Sequence, residues 1–168
     1  MAEWSTIEIR RLLNPMFTGA VITRAVEGYN EVAGAGFPFA YGYLVSPLVL
    51  HAPTRGALPS SVATKLLPWT ERSGEIVAAI PRRAKELAPY SSKGIFAALT
   101  GGLLELTSDS QLLASRNSKL KSYSSRSGSD EVDSILKKSN FVGKWLAAAG
   151  TTATVFTALG VRLENHAP

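Results

Sequence analysis

The stretch from Phe37 to Pro59, FPFAYGYLVSPLVLHAPTRGALP, limits the fold more than any other part of the chain. Phe39 to Leu50 is a run of twelve residues, apolar except for Ser46 and the hydroxyls of Tyr41 and Tyr43. Runs of about 10–14 such residues are core elements, whereas a bilayer span needs about 20. Neither end carries the Lys or Arg cluster that flanks a membrane helix. The segment therefore reads as the buried spine of a globular domain. One helix from Phe37 to His51 suits it, kinked at Pro47, whose ring removes a hydrogen bond and crowds the preceding turn. A strand pair is the alternative, because an apolar run has no period to decide between them. His51-Ala52-Pro53-Thr54-Arg55 is then a stiff polar exit from the spine.

The flanking sequence is mostly helical in pattern. Asn14 suits an N-cap and Pro15 a first helical turn; Phe17, Val21, Ala25, Gly28 and Val32 continue at helical spacing until Gly34-Ala35-Gly36. Beyond Pro59, Ser60-Ser61 can cap a helix bearing Val62, Leu66 and Leu67. A second helix is expected from Gly74 to Leu87. A third starts at Ser91-Ser92 with Ile95, Phe96, Leu99 and Leu103 on one side. Leu104-Glu105-Leu106 and Gln111-Leu112-Leu113 then flank the turn Thr107–Ser110. Three helices and a hairpin is the order of a winged helix; a three-helix bundle with an incidental hairpin is the alternative. Val132, Ile135, Leu136, Val142, Trp145, Leu146 and Ala149 form the next stripe, divided at Ser139-Asn140 with Asn140 as a cap. Gly150 ends it in a left-handed conformation, and Thr151 or Thr152 caps a last helix closed by Gly160. The expected fold is thus mainly α, with a winged-helix-like centre and a C-terminal helical pair. Its parts are 1–58, 59–114, a basic Ser-rich loop at 115–129, and 130–168 packing back on the N-terminal helices, all in one domain.

Composition and motifs exclude several kinds of chemistry. The chain is 45 % hydrophobic and 18 % charged, fewer charges than the ~25 % usual in soluble domains. There is no cysteine and no hydrophobic leader after Met1, so a cytoplasmic protein is expected. Gly34-Ala35-Gly36-Phe37-Pro38-Phe39 lacks the last glycine of a dinucleotide fingerprint, and no G-x-x-x-x-G-K-[ST] loop occurs. His51 and His166 are the only histidines, with no carboxylate between Glu31 and Glu71, so neither a metal nor a cofactor is expected. No G-x-S-x-G elbow exists for a nucleophile. An enzyme is not expected.

Four residues stand out as partner contacts: Trp4, a large aromatic ahead of the first cap, and His51, Thr54 and Arg55. Each of the last three also has an internal reading. His51 suits the C-terminal end of the spine helix, where a positive charge faces the dipole, and the pair Thr54-Arg55 can cap the neighbouring helix, Arg55 with its planar fork of donors. Trp69 and Trp145 read as core. Of the net charge of +5, Arg116, Lys119, Lys121 and Arg126 supply +4 between Ala114 and Gly128, with no acid among them. That segment is either a solvated loop or a DNA contact without sequence preference.

The collinear series Leu13-Asn14-Pro15, Phe17, Gly36-Phe37-Pro38, Ser46-Pro47-Leu48-Val49-Leu50-His51, Thr54-Arg55 and Leu58-Pro59 resembles the middle component of three-component ABC ATPase systems. Phe141-Val142-Gly143-Lys144-Trp145, Ala149-Gly150, Ala153-Thr154, Phe156 and Gly160-Val161-Arg162 continue the likeness, which spans about Leu13 to Arg162. The small subunit of Lamassu-type defence operons is a related protein. The resemblance implies a non-catalytic adaptor that binds an SMC- or Rad50-like ABC ATPase, helps to hold an effector subunit, and meets DNA through the complex. A stand-alone winged-helix DNA-binding regulator is the other reading.

Overall fold

The computed structural model describes residues 12–116, 120 and 128–162. It is mainly helical, with one small sheet. Helix α1 (Pro15–Ala33) starts as its sequence dictates: Asn14 accepts the Met16 amide at 2.8 Å, and Gly34 ends the helix at φ +60°. Strand β1 (Phe37–Pro38) and one 3-10 turn (Phe39–Tyr41) lead into α2 (Gly42–Val49). Three short helices and one long one follow: α3 (Ala52–Ala57), α4 (Leu66–Arg72), α5 (Gly74–Ala78) and α6 (Ile80–Thr100). The hairpin β2 (Leu104–Leu106) and β3 (Gln111–Ala114) precedes α7 (Asp130–Ala147) and α8 (Thr152–Ala158).

Several sequence expectations need correction. The spine is not one kinked helix. Its first residues form strand and 3-10 turn, and α2 ends two residues beyond Pro47. Ser60-Ser61 caps no helix: Ser61 Oγ accepts the Ala63 amide at 3.2 Å within a turn, and α4 begins at Leu66. The expected second and third helices are largely one, since α6 runs through Pro89. That is tolerable because Pro89, which has no N–H to donate, and Lys85, whose carbonyl is left without that donor, both lie on the solvent side. Phe96 faces solvent rather than the core, at 68 % exposure. Asn140 caps nothing; α7 is continuous, and the Asn140 side chain donates to the Arg24 carbonyl at 3.3 Å.

The core is built around α1, which lies between α6 and α7. Glycines on both of its faces let backbones touch. A Cβ on Gly19 would lie 2.7 Å from the Gly94 carbonyl oxygen of α6. On the other side, a Cβ on Gly28 would collide with the Asn140 carbonyl, and one on Gly143 with that of Ala25. Leu44, Val45, Leu48 and Val49 of α2 complete this core.

The sheet has strand order β1-β3-β2, all antiparallel, with Phe37 opposite Leu112 and Leu106 also opposite Leu112. The hairpin turn places Ser110 at φ +56°, the left-handed residue that a three-residue loop requires. The hairpin therefore shares its sheet with the segment that joins α1 to α2. Two aromatic groups tie in the remainder. Tyr29, Phe37 and Tyr41 meet edge to face, and Phe156 of α8 stacks on Tyr41. Trp69 and Trp145 are buried edge to face, 5.1 Å apart, and donate to the Ala57 and Thr64 carbonyls. Those two bonds hold the irregular stretch between α3 and α4.

Candidate functional site

The polar exit of the spine folds into a knot at the junction of α2 and α3. The helix breaks at His51, whose ψ of 112° is extended, and His51 becomes the N-cap of α3 rather than the end of α2. Its Nδ1 accepts from the Thr54 amide at 3.3 Å and pairs with Thr54 Oγ1 at 2.8 Å. Arg83, arriving from α6, donates Nη1 to both Thr54 Oγ1, at 2.5 Å, and His51 Nδ1. Its Nη2 reaches the Ile76 carbonyl at 3.3 Å.

An Nδ1 that accepts these bonds carries no proton. Burial, then the charges of Arg83 and Arg55, hold the His51 pKa below its ordinary value. The sequence-based expectation of a positive imidazole facing a helix C-terminus is thereby overturned. The ring stands at a helix start, and two guanidiniums face it.

Arg55 completes the knot from the other side. It is 6 % exposed, and its Nη1 donates to the Val49 and Leu50 carbonyls at 2.7 and 3.4 Å, capping the end of α2. Its Nη2 pairs with Glu131 Oε1 of α7 at 2.6 Å. Thr54 is fully buried. One structural lock thus joins α2, α3, α6 and α7. Nothing local in the sequence marks Arg83, and Glu131 stands there only as one acid of a helix first turn, where the dipole alone explains it.

Trp4, Lys119, Lys121 and Arg126 lie outside the described residues. Arg116 is exposed just after β3, and Leu120, four residues on, is buried in the core. Among the described residues no group of His, Cys, Asp or Glu is placed to hold a metal ion, and no helix is long and apolar enough to cross a membrane. Large apolar side chains are nevertheless exposed: Met16 at 65 % at the start of α1, Phe96 on α6, Leu67 at 54 % on α4 and Leu106 on the hairpin.

Over residues 4–163 the chain matches the family described as ABC-three component (ABC-3C) system Middle Component 3. No curated protein and no solved structure matches it.

Proposed function

Because the chain belongs to the Middle Component 3 family of ABC-three component systems, we propose that it is a non-catalytic adaptor. In this reading it binds the system's ABC ATPase, of the SMC or Rad50 type, in a bacterial defence complex of the Lamassu kind. It helps to hold an effector subunit inactive and relays the ATPase's rearrangement on DNA to it. The observation that carries the reading is the extent of the family match, 160 of 168 residues.

The topology supports an architectural role. We read helix α1, strand β1, helices α2 and α6, then β2 and β3, in strand order β1-β3-β2, as a winged-helix-like series interrupted by α3–α5, different elements from the winged helix that the sequence reading puts within 59–114. Fold alone names no function, but such a unit presents one long helix and a hairpin to a partner. His51, Thr54 and Arg55 we assign to holding that unit together, and Trp4 to contacting the partner. A stand-alone DNA-binding regulator is less well supported. The exposed face of α6 carries only Arg82, Lys85 and Lys93 as cations, with Glu86 among them, too few for reading base edges over a phosphate backbone.

The direct test is turnover by the purified chain. It should neither hydrolyse ATP nor cut DNA by itself. Steady ATP hydrolysis that a point mutation within this chain abolishes would overturn the adaptor reading.

A further inference from the structure

Helix α6 is the longest element of the fold, and its two faces differ sharply. Ile80, Ala84, Ser91, Gly94, Ile95 and Ala98 are buried against α1 and α2. Arg82, Lys85, Pro89, Ser92, Lys93, Phe96 and Thr100 are all exposed. Each lies three or four residues from another of the set, so they form one stripe, about 27 Å long at 1.5 Å per residue. Phe96, at 68 % exposure, is the most exposed large apolar side chain described and lies toward one end of the stripe. It shares a shallow depression with Pro15, Lys93 and Ala97. Met16, 65 % exposed and next to Pro15 in the chain, lines a second groove with Leu12, Phe17 and Leu103.

The charges on the stripe are one-sided. Glu86 is taken by Arg82 at 3.4 Å, and among the described residues Lys85 and Lys93 enter no ion pair. Resting on the adaptor reading, we propose that this stripe is where the ABC ATPase docks, through an amphipathic helix with acidic flanks. Phe96 and Met16 would meet its apolar face, and Lys85 and Lys93 its carboxylates. Small residues beside Phe96 (Ser92, Ala97, Thr100) allow two helix backbones to come close. Nucleic acid fits worse. An exposed Phe stands beside Lys93, only two cations lack an acid, and the following hairpin adds Glu105 and Asp109. Each cation of a DNA-binding face must neutralise a phosphate, and this face has few to offer.

The test measures the dissociation constant of the full chain with the ABC ATPase subunit of its own system, by calorimetry, for wild type and three variants. Phe96→Ala should weaken binding about thirtyfold, as loss of a central aromatic anchor does. Lys85→Glu combined with Lys93→Glu should weaken it at least tenfold and slow association. Leu67→Ala, an exposed apolar side chain on α4, should change it less than twofold. All four proteins should melt alike, since the altered side chains are exposed. If wild type binds and Phe96→Ala binds equally well, the docking site is wrong while the adaptor reading stands. If wild type does not bind the ATPase, the adaptor reading falls and the inference with it. Two other results would also overturn the inference: a wild-type dimer that Phe96→Ala dissociates in light scattering, or a loss of DNA binding without loss of ATPase binding in the double lysine variant.

Discussion

Replacing Gly143 with Ala tests the packing on which the whole arrangement rests. Gly143 of α7 lies against the backbone of α1: a Cβ there would fall on the Ala25 carbonyl oxygen, and the Tyr29 amide nitrogen would be 2.9 Å away. Both neighbours are main-chain atoms of a helix, so no side chain can swing aside, and α1 and α7 must separate. Overpacking of this kind costs about 3 kcal/mol at the upper end of its usual range. Separation also weakens the Asn140 to Arg24 hydrogen bond, worth about 1 kcal/mol. The higher helix propensity of Ala returns about 1 kcal/mol. The net loss is about 3 kcal/mol, or a fall of roughly 6–12 °C in Tm for a domain of this size. Urea and thermal melts followed by circular dichroism read it directly. Gly56→Ala is the internal control: nothing lies within 4 Å of its Cβ position in α3, so stability should rise by about 0.5–1 kcal/mol. If Gly143→Ala melts within about 2 °C of wild type, the two helices are not in backbone contact and the reasoning fails.

Three further outcomes follow from named contacts. Arg55→Ala leaves the Val49 and Leu50 carbonyls uncapped inside the fold and should cost about 2–4 kcal/mol, read as a shift in urea midpoint. The His51 pKa is lowered in the fold, so the unfolded chain takes up the proton first as pH falls. Stability should therefore be full above the unfolded value near ~6.5 and decline as pH drops below it toward the folded value. His51→Asn, which can still N-cap, should lose that part of the pH dependence, and a midpoint series from about pH 8 to 5 checks it. Changing Arg116, Lys119, Lys121 and Arg126 together to Ser should leave stability within about 0.5 kcal/mol. If the segment touches DNA in the assembled complex, the same change should flatten the salt dependence of binding by up to ~3–4 units of slope; an unchanged slope assigns DNA to the other subunits.

Features decided by neighbouring residues were legible in the sequence. Asn14 with Pro15 fixes the start of α1, Thr151 caps α8 through the Thr154 amide, and the turn at Thr107–Ser110 joins the two strands of the hairpin. Bulk was legible in part: Trp69 and Trp145 read as core and are buried, whereas Phe96 read the same way and is exposed. What escaped depends on distant contacts. Strand β1 has two residues, too few for any alternation, and exists because β3 pairs with it. Helix α6 runs through Pro89 because that turn faces solvent, and further along Gly94 and Ala98 pack on Gly19 of α1, neither of which local propensity reveals. The role of His51 turned on which helix it belonged to. The extended ψ at that one residue decided it, with Arg83 brought in from 32 positions away. The exposed stripe of α6 was hidden because Phe96 keeps helical spacing with Leu99 and Leu103, and its apolar side chain then reads as part of the buried face.

The measurement closest to the central claim is the mass of the assembly. The full chain is co-expressed with the ABC ATPase of its own system and passed through size exclusion with light scattering, with ATP hydrolysis followed in the same fractions. The adaptor account expects one stoichiometric complex whose hydrolysis is abolished by a phosphate-loop mutation in the ATPase and by no substitution in this chain. Elution of this chain apart from the ATPase, or hydrolysis travelling with this chain alone, would contradict it.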